Sequence, residues 1–207
     1  MKLQIAFDMS NVEKALEIAT QVAEYADIFE VGTLLLYSHG VKAVKLFKEQ
    51  FPRKQILADA KIIDRGKEAI ALFADAGADW VTVMAGTGKD VIHAACAAAH
   101  QAKIQVMLDL VDASSLGQSA LEAKNLGADA LLFHQAFDEK ESVQFLDKWE
   151  MVKGNTQLPV FVSAKITRDT INYFLSLKSD GLIIGKSITD ASDPVQEAQY
   201  FKDLLSR

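Results

Sequence analysis

The chain is poor in the residues that hold small or loop-rich proteins together. It carries one cysteine, Cys96, among 207 residues. That excludes an intramolecular disulfide and any metal site built from several thiolates. With 3 prolines and 11 glycines, a collagen-like or loop-dominated chain is excluded too. No run of about 18 apolar residues occurs, so no transmembrane helix and no membrane partner are expected. Met1-Lys2-Leu3-Gln4-Ile5 reaches Asp8 before a long apolar stretch develops, so no signal peptide is expected and the expected location is cytoplasmic. Basic residues are in the minority: 22 Lys and Arg against 28 Asp and Glu leave a net charge of −6. That balance argues against a nucleic-acid partner. What is present is 50% hydrophobic and 24% charged, a globular composition. The length fits one domain over residues 1–207 with a sizeable core.

Short apolar runs alternate with longer helical patterns. Strands are expected at Leu3–Asp8, Asp27–Val31, Gln55–Lys61, Trp80–Met84, Gln105–Leu110, Ala130–His134, Pro159–Ser163 and Gly181–Ile184. Most are continuously apolar, as strands buried on both faces should be. Helices are expected between them, at Asn11–Tyr25, Val41–Phe51, Gly66–Ala76, Gly88–Gln101, Ser115–Leu126, Glu141–Lys153, Arg168–Leu177 and Pro194–Ser206. An internal repeat supports the count. Asp27, Asp79, Asp129 and Asp180 precede alternate strands at spacings of 52, 50 and 51 residues, the length of two βα units. Their expected role is local, a turn from helix into strand. Four double units make a (β/α)₈ TIM barrel of near-minimal length. The rival, an open doubly wound sheet, lacks its glycine fingerprint after the first strand, which reads Phe7-Asp8-Met9-Ser10-Asn11.

In such a barrel the site lies at the C-terminal ends of the strands. Those ends carry Asp8, Glu30, Asp59 and Lys61 with Asp64 beyond, Asp109, His134, Lys165, and Gly185-Lys186. Burying carboxylates together is costly unless a cation compensates. Asp59 and Lys61, two apart, should share a strand face. The ammonium could stabilise an anion developing on a substrate, or the two could form only a structural ion pair. Glu30 and Asp59, on adjacent strands, could share Mg²⁺. His134 could act as a general acid or be a satisfied core histidine. Gly185, Lys186 and the turn Ser187-Ile188-Thr189 suggest a phosphate cradle. His39, His93 and His100 look peripheral, the last two lying on an alanine-rich helix without carboxylates nearby. Cys96 reads as packing. Gly86-Thr87-Gly88-Lys89 lacks the spacing of a phosphate-binding P-loop.

Asp59-Ala60-Lys61-Ile62-Ile63-Asp64, on the third strand of a barrel, resembles the orotidine-5′-phosphate decarboxylase superfamily. The resemblance runs from Asp8 to Gly185. Glu30 in Phe29-Glu30-Val31-Gly32-Thr33 resembles the metal-dependent branch, because orotidine decarboxylases usually have lysine there. That branch contains 3-hexulose-6-phosphate synthases, which are aldolases, and 3-keto-L-gulonate-6-phosphate decarboxylases. Both work through a 1,2-enediolate and need Mg²⁺.

The resemblance implies Mg²⁺ on Glu30 and Asp59, and Lys61 at the enediolate oxygen. It implies Asp8 holding Lys61 or a substrate hydroxyl, and His134 handling a proton. Asp64 would enter from the partner subunit of a homodimer. The phosphate would sit at Gly185 and Lys186, with Lys165 adding charge. Asp109 resembles the synthases, where decarboxylases typically have glutamate. Phe137 stands where decarboxylases carry an arginine. The implied activity is a carbon–carbon lyase acting on a ketose 6-phosphate. Addition of formaldehyde to ribulose 5-phosphate is favoured over decarboxylation of 3-keto-L-gulonate 6-phosphate, although the turn Gly185-Lys186-Ser187-Ile188 fits both. Ser163-Ala164-Lys165 replaces a Gly-Gly pair usual in both relatives, which keeps open a non-catalytic sugar-phosphate-binding barrel.

Overall fold

A computed structural model describes residues 1–136, 138 and 148–206. Phe137 and most of the helix expected over 141–153 lie outside the described residues. Eight strands close a parallel barrel in chain order: β1 (Lys2–Phe7), β2 (Ile28–Val31), β3 (Gln55–Ile62), β4 (Trp80–Met84), β5 (Gln105–Asp109), β6 (Ala130–His134), β7 (Val160–Ser163) and β8 (Gly181–Ile184). The seam is β1 against β8, with Leu3 opposite Leu182. This is the expected TIM barrel, with strand limits within one residue of those expected.

The helices are α1 (Val12–Val22), α2 (Thr33–His39), α3 (Val41–Gln50), α4 (Gly66–Asp75), α5 (Lys89–Gln101), α6 (Leu116–Leu126), α7 (Trp149–Lys153), α8 (Ile171–Ser176), α9 (Lys186–Thr189) and α10 (Pro194–Leu205). The expected single helix per strand is corrected at two places, where α2 and α9 precede the main helix. Both are too short to show a full helical period. α2 buries Leu35 and Leu36 and ends at Gly40, whose φ of +59° is a left-handed value that suits glycine. Asn11 accepts from Lys14 N–H to start α1, and Asp193 with Pro194 does the same for α10.

Strand periodicity sorts the side chains into two cores. Outward-facing Phe7 and Phe29 pack on Phe47 of α3, with ring centroids 5.3 and 6.3 Å away. Inward-facing Ile28, Leu57, Trp80, Met107, Leu132, Phe161 and Ile183 fill the lower barrel. Two residues further along several of the same strands, the inward positions become Glu30, Asp59, Thr82, Asp109 and His134. An apolar plug thus floors a polar tier at the C-terminal end.

The repeated aspartates act at the opposite end, and their role is not local. Asp27, Asp79, Asp129 and Asp180 each accept a backbone N–H from the start of the preceding strand: Leu3 at 2.7 Å, and Ile56, Val106 and Val160 at 2.8 Å. Each also meets a cation or histidine from the helix before that strand. Lys202, Lys48, His100 and Lys153 lie 2.7, 2.8, 3.1 and 3.3 Å away in that order. The aspartate therefore clips two strands and a helix together, and His100 has a carboxylate beside it after all. Asp79→Ala should cost about 1–3 kcal/mol, the penalty for a half-buried N–H left unpaired. Asp79→Asn, which can still accept from Ile56, should cost clearly less. Urea unfolding of the two variants checks this, and equal losses would refute the clip.

Candidate active site

The central feature is an irregularity in β3. Between Ala58 and Ile62 this strand advances four residues while β4 advances two, from Val81 to Val83. Lys61, within the bulge, has φ +46°, a left-handed conformation that costs a lysine roughly 1–2 kcal/mol. The expected meeting of Asp59 and Lys61 is present, at 2.5 Å, but the bulge rather than simple strand alternation delivers it. Asp59 is buried and fully engaged. Its Oδ2 takes hydrogen bonds from Lys61 Nζ and, at 2.6 Å, Thr33 Oγ1. Its Oδ1 accepts from Thr82 Oγ1 at 2.9 Å. Burial works against the Asp59 charge, but Lys61 and these donors outweigh it and hold the carboxyl below its usual range. Burial likewise works against the ammonium of Lys61, and Asp59 and Asp109 outweigh it, so Lys61 stays charged.

Glu30, on the neighbouring strand, is buried and receives Gln4 Nε2 at 2.5 Å. Burial first, and the charge of Asp59 second, push its carboxyl up to about 8. On the other side of Lys61, Asp109 is fully buried and 4.0 Å from the ammonium. It accepts from Val111 N–H at 2.9 Å and holds His134 Nδ1 at 2.9 Å. The imidazole is disfavoured as a cation by burial, but its bond to Asp109 outweighs this and raises its pKa. With Nδ1 tied down, Nε2 is the ring atom left for proton exchange.

Glu30, Asp59, Lys61, Asp109 and His134 are thus brought together, on four strands. Asp8 is not joined to Lys61. Its Oδ1 accepts from Leu34 N–H at 2.8 Å at the start of α2, and it lies so close to Gly32 that a Cβ there would meet Asp8 Cα at 2.7 Å. Asp64 is exposed and accepts from Arg65 N–H. Lys165, Gly185 and Lys186 follow β7 and β8, whose loops are stitched by Ser187 Oγ donating to Ile166 O at 2.6 Å. Sequence reasoning misses Gln4, Thr33 and Thr82. The signal for two of them is present: Gln4 and Thr82 are polar at inward positions of otherwise apolar strands. Thr33 carries no such mark.

The donors suit a hard divalent cation. Two buried carboxylates that raise each other's cost of ionisation are what such a cation relieves. Among the described residues no group of three or more His, Cys, Asp or Glu side chains could hold a metal. An ion on Glu30 and Asp59 would therefore need water or substrate oxygens, as Mg²⁺ accepts.

The sequence profile of the Orotidine 5′-phosphate decarboxylase / HUMPS family matches residues 1–201. The chain belongs to that family. Within it, a 3-hexulose-6-phosphate synthase of Bacillus subtilis (strain 168) is 31% identical over 207 residues, 99% of each chain. The crystal structure of 3-hexulose-6-phosphate synthase from Salmonella typhimurium superposes with a TM-score of 0.93 at 35% identity, covering 100% of this chain and 99% of that one. KGPDC from Streptococcus mutans, solved with a sugar phosphate bound, superposes with a TM-score of 0.91 at 28% identity, covering 100% and 97%. The family resemblance read from Asp59-Ala60-Lys61 and Glu30 is therefore shown. No helix among the described residues is long and apolar enough to cross a membrane.

Proposed function

We propose that the protein is a Mg²⁺-dependent carbon–carbon lyase of the cytoplasm. Its reaction joins formaldehyde to ribulose 5-phosphate, as a 3-hexulose-6-phosphate synthase, and runs in reverse. The observation that carries this reading is the buried row Glu30, Asp59, Lys61, Asp109 and His134 at one barrel end. Mg²⁺ on Glu30 and Asp59 would polarise the vicinal oxygens of the ketose and favour loss of a C1 proton. The remaining work belongs to side chains. Lys61, kept charged by Asp59 and Asp109, stabilises the oxyanion of the 1,2-enediolate. His134, oriented by Asp109, carries the proton between the ketose carbon and the new alkoxide through Nε2. Asp8 holds a substrate hydroxyl. Lys165, Gly185 and Lys186 hold the phosphate, a role supported by the tie between the β7 and β8 loops.

A lyase panel tests this reading. With Mg²⁺, the protein should consume ribulose 5-phosphate and formaldehyde and leave 3-keto-L-gulonate 6-phosphate largely untouched. The opposite preference would make it the decarboxylase. Inactivity on both would leave a sugar-phosphate-binding barrel.

We further propose a homodimer that shares its sites. Leu34, Tyr37 and Ile63 are exposed by 48, 80 and 63%, large apolar side chains gathered at the mouth beside Asp64, and a second copy would cover them. Mixing Lys61→Ala with Asp64→Asn should then restore activity. Random exchange makes half the dimers mixed, each with one intact site, so about a quarter of wild-type activity should return. No recovery despite proven subunit exchange would place Asp64 outside the neighbouring site.

A further inference from the structure

The bulge in β3 has a single side chain fastened across it. Thr82, in the middle of β4, is 1% exposed. Its Oγ1 accepts the backbone N–H of Lys61 at 2.9 Å and donates to Asp59 Oδ1 at 2.9 Å. One hydroxyl therefore holds the backbone of the lysine in its left-handed conformation and directs its own proton to the carboxylate that pairs with that lysine. Other residues of β4, such as Val81 and Val83, are apolar and fully buried, so a hydroxyl here is not required by packing. It lies on the inward row, directly above Trp80.

We propose that Thr82 is a positioning residue of the active site, setting the aim of Lys61 Nζ and the orientation of Asp59 through this two-way hydrogen bond. The inference rests on the reading of Asp59 and Lys61 as working groups. Without the hydroxyl, the Lys61 N–H loses its acceptor and Asp59 Oδ1 loses a donor. A bulge with a left-handed lysine is then no longer over-determined by its surroundings. The expected consequence is displacement of the ammonium rather than collapse of the barrel.

Thr82→Val keeps shape and β-branching but can neither accept nor donate. Thr82→Ser keeps the hydroxyl. The valine variant should unfold cooperatively like wild type. Its kcat should fall about 10²-fold, the scale for a misplaced catalytic group, with KM changed less than about threefold. The serine variant should recover most of kcat. A crystal structure of Thr82→Val should show Lys61 released from the left-handed region and Nζ withdrawn from Asp59. This readout stands even if the wild type proves inactive on the lyase panel, so failure of the functional reading and failure of this inference are separable. The proposal is overturned if Thr82→Val leaves the Lys61 backbone and the Lys61–Asp59 contact unchanged. It is also overturned if serine loses as much kcat as valine. Should Thr82→Val not fold, Thr82→Ala removes the same hydrogen bonds without placing a methyl against the carboxylate. Failure of both to fold while Thr82→Ser folds would assign the hydroxyl to the fold and overturn the proposal.

Discussion

Replacing Lys61 with alanine should lower turnover by about 10²–10³-fold or more while changing substrate affinity only modestly. That scale is the loss of one preorganised donor to an oxyanion that develops in the reaction. The geometry supports an effect in the transition state rather than in binding. The ammonium sits 2.5 Å from Asp59 and 4.0 Å from Asp109, and both carboxylates keep it charged. It therefore meets the forming negative charge without first acquiring a proton. Steady-state kcat and KM for Lys61→Ala, measured on protein shown to be folded by its unfolding transition, check this. The folding control matters because the substitution leaves Asp59 buried without its cation. A near-normal kcat would mean that Lys61 is only a structural partner of the carboxylates.

Removing divalent metal should abolish turnover, and Mg²⁺ should restore it. Glu30 and Asp59 supply hard oxygen donors, and the substrate and water would complete the coordination. The pH dependence follows from Glu30. Its carboxyl is raised to about 8 by burial and by Asp59, so below that pH it holds a proton that the cation must displace. Apparent Mg²⁺ affinity should therefore rise with pH up to about 8 and level off above it, with proton release on binding at pH 7. A cation bound to an unperturbed carboxylate would instead show an affinity already flat at neutral pH. Calorimetry in buffers of different ionisation enthalpy measures the proton count. Full activity in a metal-free preparation would reject the assignment of Glu30 and Asp59.

Much of this architecture is readable in one dimension because its causes are local. The strands are short apolar runs, and their inward and outward faces follow from the two-residue period. Ionisable residues in such runs stand out because an apolar strand has no other use for them. Glu30, Asp59, Asp109 and His134 are visible for that reason, and so is the family motif around Lys61. Features that depend on register are not visible. The 51-residue aspartate repeat is apparent as a rhythm, but its action is not, since each carboxylate bonds to a strand more than twenty residues earlier or at that distance. For Asp79 that partner is Ile56, 23 residues back. Asp8 shares the strand-end position of the site residues yet spends an oxygen on Leu34 N–H. That pairing exists only because α2, too short to leave a periodic trace, begins there.

By itself the sequence determined the barrel, the end at which polar groups collect, and the five ionisable residues that meet there. All follow from side-chain chemistry repeated along the chain, and burial of the apolar runs leaves few other arrangements. The tertiary structure alone decided how those residues are held. The bulge that turns Lys61 left-handed, the clasp by Thr82, the donation by Thr33 to Asp59 and the support of Glu30 by Gln4 all join separate strands or a strand and a helix start. Hydrogen bonds between elements twenty or more residues apart depend on which residue comes to lie opposite which. That alignment is a property of the closed sheet, and no segment of the chain carries it alone.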